Sequence, residues 1–273
     1  MRTIAGRHEL DAGLSEELPA RRWESGRMRE VAVSVVREAR VRVHVNGDEW
    51  LSLMATPREL DRLAIGFLVT EGVIAGPADV RRIVTCPSGM CVEVWLNDGS
   101  IARPAQSTLT SGCGGGITFA DLSAEQEPMT AKARLSARQL SRLMFQLQER
   151  ERTRGLHTAA LGDGETLLAL AEDVGRHNTL DKLFGRCLMD GIATEGRVLL
   201  TTGRISAEML NKAMRMGTPI VASRSSPTTL SVALAKAWNV TLVGYARRDS
   251  LTVYSGLARV LEDAEEVGIN AQS

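Results

Sequence analysis

One thiol, Cys113, lies in a run of small residues from Thr110 to Gly116 that contains four glycines. Glycine has no Cβ, so this run lets the backbone bend sharply and leaves the thiol unshielded. Such a setting suits a nucleophile or a carrier that must visit two sites, and a surface linker with an incidental cysteine is the alternative. The segment has no second cysteine, so neither a redox dithiol nor a zinc knuckle is predicted within it.

A second segment, residues 172–178, combines carboxylates with a guanidinium, an imidazole and a carboxamide between a predicted strand and a predicted helix. Sheets of α/β proteins bind ligands at the carboxyl ends of their strands, so a binding role is favoured. Helix capping, or an ion pair between Arg176 and Asp181, would account for only one or two of these side chains. The candidate binding residues here are Asp173, Arg176, His177 and Asn178.

Two further strand-to-helix turns, at residues 201–206 and 223–229, place hydroxyls and an arginine at a helix N-terminus. Free N–H groups and the helix dipole favour an anion there, although serine and threonine are also ordinary N-caps. Neither turn is a phosphate-binding loop of the ATP or NAD type, so we expect another phosphorylated ligand. The candidate residues are Arg204, Ser206, Ser226 and Thr228, and the basic segment 245–250 has the same character.

The remaining cysteines and one histidine have simpler interpretations. Cys86 and Cys91 flank a four-residue turn and could share a metal, but no matching second pair exists, so no metal site is predicted. Cys187 lies on the apolar face of a predicted helix and is expected in the core. His157 could be either a structural histidine or part of the site, and the sequence leaves both open.

The elements that must position these residues divide the chain into three parts. Residues 1–27 are polar and aperiodic, which predicts a loosely ordered arm. Residues 28–135 contain alternating valines and an Asn46-Gly47 hairpin signal, so we expect a small, mainly antiparallel region that ends in the Cys-Gly loop. Capping boxes at Thr56 and Ser136 predict two helix starts. In residues 136–273 short apolar strands alternate with helices, which predicts an α/β domain with a largely parallel sheet covered on both faces.

Composition excludes several classes of protein. The 273 residues include 33 Lys plus Arg and 33 Asp plus Glu, so the net charge is zero, and only 4% are aromatic. Nucleic-acid binders usually have a basic excess or aromatic stacking platforms, so no nucleic-acid partner is expected. No apolar run is long enough for a signal peptide or a membrane span, and the four cysteines fit a reducing compartment. A cytoplasmic protein without a membrane partner is therefore predicted.

Several segments together resemble one known family. Residues 172–178, followed by Asp181-Lys182, are similar to the signature of the formate dehydrogenase accessory sulfurtransferase family, FdhD. Further blocks of that family match in the correct order, and the resemblance runs from about residue 30 to residue 256. These blocks are Gly203–Ser206 with Glu208 and Lys212, Ser226–Thr228, Thr241–Tyr245, and His157 with Ala159 and Ala160.

The resemblance implies a sulfur carrier. Members take sulfur from a cysteine desulfurase as a cysteine persulfide and pass it to a molybdenum or tungsten bis-pterin guanine dinucleotide cofactor, Mo-bis(molybdopterin guanine dinucleotide) in the molybdenum form. This happens before the cofactor enters the catalytic subunit of formate dehydrogenase. Cys113 matches the persulfide cysteine, whereas Gly116 stands where the family often has a second cysteine, so Cys113 would act alone.

The resemblance also implies a site, a fold and an assembly. Its cofactor-contacting stretch corresponds to Tyr245, Ala246, Arg247, Arg248, Asp249 and Ser250. The fold is expected to be a cytidine-deaminase-like α/β sandwich, preceded by the smaller β-rich region, and a homodimer is expected. Two alternatives remain: a protein that escorts the cofactor without covalent chemistry, and a zinc-dependent hydrolase sharing the fold, whose zinc signatures are absent from this sequence.

Overall fold

The computed structural model describes residues 14–105, 108–109, 117–119, 126–151 and 153–262. In these residues the helices are α1 (Leu60–Thr70), α2 (Ala137–Arg150), α3 (Arg176–Met189), α4 (Ala207–Arg215) and α5 (Thr229–Ala237). The first nine strands are β1 (Ser15–Glu24), β2 (Arg27–Val36), β3 (Ala39–Val45), β4 (Asp48–Ala55), β5 (Val80–Thr85), β6 (Cys91–Leu96), β7 (Thr108–Leu109), β8 (Ile117–Thr118) and β9 (Leu135–Ser136). The others are β10 (His157–Gly162), β11 (Leu167–Asp173), β12 (Val198–Thr201), β13 (Ile220–Ser223), β14 (Thr241–Gly244), β15 (Thr252–Ser255) and β16 (Val260–Leu261).

Strands β1 and β2 form a two-stranded ribbon where the sequence predicts a loosely ordered arm. That prediction is wrong for Ser15–Glu24, and residues 1–13 lie outside the described residues. β1 pairs antiparallel with β2 along its whole length. Ser25 and Gly26 both have positive φ angles, 50° and 81°, as a two-residue hairpin turn requires. The alternating valines of β2 indicate a strand, whereas the polar sequence of β1 gives no such signal. β1 forms a strand because β2 is available to pair with it.

The small sheet has the order β4-β3-β6-β5. β3 and β4 form the predicted hairpin, with Val45 opposite Asp48 and positive φ angles at Asn46 and Gly47. β5 and β6 are also antiparallel, whereas β3 and β6 are parallel. The mainly antiparallel character predicted for this region is therefore confirmed, with one parallel pair at its centre.

The first predicted capping box does not form. Helix α1 begins at Leu60, its N-cap position is Glu59 in the left-handed region, and no side chain caps it. Thr56 instead uses its backbone and its hydroxyl to bind the C-terminal half of the chain, as described below. The second predicted box is confirmed, because the Ser136 hydroxyl accepts from the Gln139 N–H and the Gln139 side chain accepts from the Ser136 N–H.

The large sheet has the order β11-β10-β12-β13-β14-β15. Only β12, β13 and β14 pair in parallel, and β10 and β15 run antiparallel to their neighbours. The prediction of a largely parallel sheet is therefore right for the centre and wrong at both edges. The antiparallel direction of β10 follows from its short hairpin to β11, since a parallel pair would need a long crossover.

Both faces of the large sheet are covered, as predicted. Along β10, Ala159 and Leu161 belong to one apolar cluster and Ala160 belongs to the other. The first cluster includes α1, α3 and α4 together with the small sheet, and the second is built on α2. A mixed α/β sandwich is thus observed, with a core that runs across the predicted boundary at residues 135–136. That boundary and the likeness to cytidine deaminases remain predictions.

Helices α1 and α3 cross at two glycines. A Cβ on Gly66 would lie 1.8 Å from the Asp181 carbonyl oxygen, and a Cβ on Gly185 would lie 1.9 Å from the Arg62 carbonyl oxygen. The two backbones are therefore in direct contact, which no other residue type permits. This contact fixes α3, whose N-terminus carries the candidate site, against the N-terminal half of the chain.

Candidate functional site

The predicted site residues meet at one edge of the large sheet. β11 and the parallel strands β12, β13 and β14 all end there, while the antiparallel β10 begins there with His157 opposite Asp173. Each of β11, β12 and β13 leads into a helix, so the N-termini of α3, α4 and α5 point toward the same edge. The separate turns identified from the sequence therefore lie at one edge of the sheet, and a shared binding site there stays a prediction.

Asp173 is buried at this edge, where hydrogen bonds and an ion pair hold its carboxylate. Its side chain is 0% exposed. One carboxylate oxygen accepts from the Thr56 N–H at 3.1 Å and pairs with Lys182 Nζ at 2.5 Å. The other accepts from the Gly175 N–H at 2.8 Å and from Asn178 Nδ2 at 2.9 Å. Asp173 therefore positions the turn into α3 and does not face a ligand.

Asn178 and Lys182 join the same network to the small sheet. Asn178 Nδ2 also donates to the Met54 carbonyl at 2.8 Å, and Lys182 Nζ donates to the Thr56 carbonyl at 2.9 Å. The Thr56 hydroxyl accepts from the Val174 N–H at 3.2 Å. Because burying an unpaired charge is costly, this closed set of bonds explains how a lysine and an aspartate are tolerated here.

His177 and Ser206 form the inner wall of the site. His177 Nε2 lies 3.4 Å from Ser206 Oγ and 3.9 Å from a Glu208 carboxylate oxygen. Burial, together with the charges of Arg176 and Lys212, lowers the pKa of His177 to about 3, so its imidazole is neutral at pH 7. Ser206 is the N-cap of α4 but makes no side-chain cap bond, and its hydroxyl is directed to His177 instead.

Gly203 brings the β12 turn close to the α3 N-terminus. A Cβ at this position would lie 2.9 Å from Arg176 Cβ and 3.5 Å from His157 Nδ1. Arg176 is buried, and burial, together with the charge of Arg176, lowers the pKa of His157. His157 therefore lies between α3 and the β12 turn, next to the other candidate residues, and its role in the site stays a prediction.

The turns after β12 and β13 are joined to each other. Ile205 N–H donates to the Ser226 carbonyl at 3.1 Å, and Thr228 N–H donates to the Ile205 carbonyl at 3.1 Å. Thr228 caps α5 by accepting from the Ser231 N–H at 3.2 Å, so its hydroxyl has the ordinary capping role. Arg204, by contrast, is exposed at this edge.

The loop after β14 adds exposed cations. Tyr245 is 48% exposed and adopts a φ of +50°, an uncommon conformation for a residue with a Cβ. Arg247 and Arg248 are exposed, and Arg247 Nη1 donates to the Arg224 carbonyl at 2.9 Å. Ala246 is completely buried, so its side chain belongs to the core and only its neighbours can meet a ligand. Asp249 and Ser250 are exposed in the same loop.

A buried ionic network, which the sequence reasoning missed, lies behind this edge. Lys212 Nζ lies 2.7 Å from Asp181 Oδ1, 3.0 Å from Glu71 Oε1 and 2.9 Å from Thr70 Oγ1. Although burial opposes ionisation, the two carboxylates raise the pKa of Lys212 and keep it charged. Asp181 thus pairs with Lys212 and not with Arg176. One available signal was the position of Lys212, three residues after Met209 on the apolar face of α4.

The same network holds the strand that follows the Cys-Gly segment. Glu71 Oε2 accepts from Thr118 Oγ1 at 2.8 Å and from the Phe119 N–H at 2.6 Å. The Phe119 ring packs edge-on against Phe67, with centroids 5.8 Å apart. β8, which ends at Thr118, pairs antiparallel with β7. Cys113 belongs to the connection between these strands and lies outside the described residues.

In the described ranges, no three His, Cys, Asp or Glu side chains lie close enough together to hold a metal ion. No helix in the same ranges has the length and apolarity needed to cross a bilayer.

The fold and the strand edge define an α/β protein whose candidate site is formed by turns at the carboxyl ends of neighbouring strands. Residues 36–261 match the model of the FdhD/NarQ family. The chain is 34% identical to the sulfur carrier protein FdhD of Listeria innocua, over 88% of this chain and 96% of the relative. It is 36% identical to the sulfur carrier protein FdhD of Bacillus subtilis, over 88% and 95%. This chain belongs to the FdhD/NarQ family, which confirms the family identified from the sequence motifs.

A solved structure gives the same result for the fold. The crystal structure of a formate dehydrogenase accessory protein from Desulfotalea psychrophila superposes with a TM-score of 0.74 at 28% identity. The match covers 91% of this chain and 100% of that one. The arrangement of sheets and helices described above is therefore shared with that accessory protein.

Proposed function

We propose that this chain is a sulfur carrier that serves the maturation of a formate dehydrogenase. It accepts sulfur on Cys113 from a cysteine desulfurase and delivers it to the molybdenum or tungsten bis-pterin guanine dinucleotide cofactor. The cofactor then enters the catalytic subunit of the dehydrogenase. The names of its relatives support this role. The observation that carries it concerns helix α4. Its N-terminus lies at the cationic strand edge, and its Lys212 is linked through Glu71 to the strand that follows the Cys113 segment.

The strand edge supports binding of the phosphorylated acceptor. Arg204 and Arg247 are exposed there, and the N-termini of α3, α4 and α5 point toward it. Helix N-termini and guanidinium groups both favour phosphate oxygens. The neutral imidazole of His177 and the Ser206 hydroxyl offer hydrogen bonds without a net charge, which suits a pterin ring. We assign the phosphates to the arginines and the pterin to this inner wall.

The loading step is a transfer of sulfane sulfur between two cysteines. The Cys113 thiolate attacks the terminal sulfur of the persulfide on the desulfurase. The S–S bond of that persulfide breaks, a new S–S bond forms on Cys113, and the desulfurase cysteine leaves as a thiolate. No net oxidation takes place, so the step needs no further reactant.

Intact mass spectrometry tests the carrier assignment. After incubation with a cysteine desulfurase and cysteine, the protein is expected to gain the mass of one sulfur atom, and Cys113→Ala is expected to gain none. Cys187→Ala is the matched control and should load like the native chain, because Cys187 is buried. A gain that survives Cys113→Ala would contradict the assignment, and no gain in the native chain would favour a non-covalent escort.

Thermal unfolding in the presence of GDP tests whether the strand edge binds a guanine nucleotide. Bound GDP is expected to raise the melting temperature by a few degrees, since a ligand at 100 times its Kd stabilises a protein by about 2.7 kcal/mol. Arg204→Gln combined with Arg247→Gln should remove most of this shift. Arg82→Gln, an exposed arginine on β5, should retain it. An unchanged shift in the double variant would place the nucleotide elsewhere.

A further inference from the structure

Cys86 and Cys91 form a disulfide across the turn between β5 and β6, with their Cα atoms 5.3 Å apart. Their spacing could suit a shared metal, but no second pair of ligands accompanies them in the sequence, and the proposed sulfur carrier does not use them. A bond at this position either stabilises the turn or exchanges with thiols, and the surrounding contacts distinguish these two possibilities.

The turn is closed by hydrogen bonds without the disulfide. Cys86 N–H donates to the Cys91 carbonyl at 2.9 Å, and Gly89 N–H donates to the Cys86 carbonyl at 2.8 Å. The ladder between β5 and β6 continues from there to Val80 and Leu96. A disulfide stabilises mainly by closing a loop in the unfolded chain, and the effect is smallest for short loops. Because its two cysteines are only 5 residues apart in the sequence, this disulfide adds little stability beyond that provided by the hydrogen bonds of the hairpin.

The two sulfurs lie on the solvent side of the small sheet. Val92 and Val94 are buried, so Cys91 and Glu93, which alternate with them, face the other way. Cys86 and Cys91 are both partly exposed. An attacking thiol in solution can therefore reach the bond without any unfolding.

Arg42 carries a positive charge on the same face of the small sheet as Cys91. It is the direct partner of Cys91 in the parallel pair β3–β6, so its exposed side chain shares the face of Cys91. The next pair along this face is His44 with Glu93. A neighbouring cation favours the thiolate form of a cysteine, which makes Cys91 the better leaving group. Cys187 shows the opposite setting, because burial raises its pKa to about 11.

We propose that Cys86 and Cys91 are a reversible dithiol–disulfide site that exchanges with low-molecular-weight thiols of the glutathione type. A first thiolate attacks Cys86 Sγ, the S–S bond breaks, and Cys91 leaves as a thiolate beside Arg42. A second thiolate attacks the mixed disulfide at its non-protein sulfur and releases Cys86. Two thiols are thereby oxidised to one small disulfide, and the protein gains two electrons and two protons. This proposal is independent of the role of Cys113.

Alkylation and peptide mapping test the exchange in the full chain. In millimolar reduced glutathione, we expect Cys86 and Cys91 to become alkylated while circular dichroism stays unchanged and Cys187 stays protected. Oxidised glutathione should restore the bond. The proposal is overturned if the bond persists in the folded protein, or if Cys86 and Cys91 become reactive only when Cys187 does, since that would indicate unfolding.

Two arginine variants test the leaving group. Arg42→Gln should slow reduction roughly threefold or more, because the Cys91 thiolate loses its neighbouring cation. Arg40→Gln is the matched control: Arg40 lies two residues away on the same face of β3 and pairs with Met54 instead of a cysteine. Its reduction rate should equal that of the native chain. Equal rates in both variants would overturn the assignment of Cys91 as the leaving thiolate.

Discussion

Replacing Lys212 by methionine is expected to lower the free energy of unfolding by about 3–5 kcal/mol, as for other buried ion pairs that lose one partner. Methionine fills similar volume but leaves the carboxylates of Asp181 and Glu71 buried without their cation. Urea unfolding at pH 7 measures the loss. Lys236→Met, an exposed lysine on α5, is the matched control and should change stability by less than about 0.5 kcal/mol.

The pH dependence of this variant separates a charge effect from a packing effect. In the native chain burial works against ionisation, but Lys212 and hydrogen bonds hold the pKa of Glu71 below its ordinary value, so its stabilisation is present at neutral pH and is lost in acid. Burial already raises the pKa of Asp181 in the native chain, although Lys212 opposes this shift. Without Lys212 the pKa of Asp181 rises further and the folded pKa of Glu71 also rises above its unfolded value, so the variant loses stability as pH rises. The deficit should therefore be smaller near pH 4 than at pH 7. A deficit independent of pH would contradict the ionic explanation.

Gly66→Ala is the second change with a large expected effect. Its Cβ would overlap the Asp181 carbonyl oxygen and lie 2.9 Å from the Gly185 nitrogen. Both are backbone atoms that cannot rotate away, so α1 and α3 must separate, and overpacking of this severity costs about 3 kcal/mol or more. Helix propensity alone would predict the opposite sign, since alanine is favoured over glycine by about 1 kcal/mol.

Gly76→Ala is the control for this substitution. Nothing lies within 4 Å of the position of its Cβ, and its φ of 177° is extended. We expect its free energy of unfolding to stay within about 0.5 kcal/mol of the native value. If Gly66→Ala proved as stable as Gly76→Ala in thermal or urea unfolding, the close crossing of α1 and α3 would be wrong.

Local features of the fold were predictable because short-range chemistry determines them. The Asn46-Gly47 turn and the Ser136 capping box form as the sequence indicates, since each depends on residues only a few positions apart. The shared strand edge was also predictable, because strands that alternate with helices end on the same side of a sheet. The motif blocks identified the family correctly because they are read directly from the sequence and need no knowledge of long-range contacts.

Long-range pairing was not predictable from one sequence. Thr56 resembles a helix cap, yet its bonds go to a residue 117 positions away. Glu71 and Lys212, 141 positions apart, have no local pattern that joins them. Asp173 has the residue type of a ligand-binding group, and only its complete burial shows that it positions the site. In each case tertiary contacts decide which of two chemically reasonable roles the side chain takes.

Helix α4 connects the strand edge with the strand that follows the Cys113 segment. Ser206 occupies its N-cap position at the strand edge, and Lys212, six residues on, pairs with Glu71, which in turn accepts a hydrogen bond from Thr118. At 1.5 Å per residue these two levels are about 9 Å apart along the helix axis. Cys113 is four residues from Ile117, a contour of at most about 14 Å. The number of residues between Cys113 and β8 therefore limits how far this thiol can lie from Ile117 and, if Cys113 carries the sulfur as proposed, how far from β8 that sulfur can be delivered.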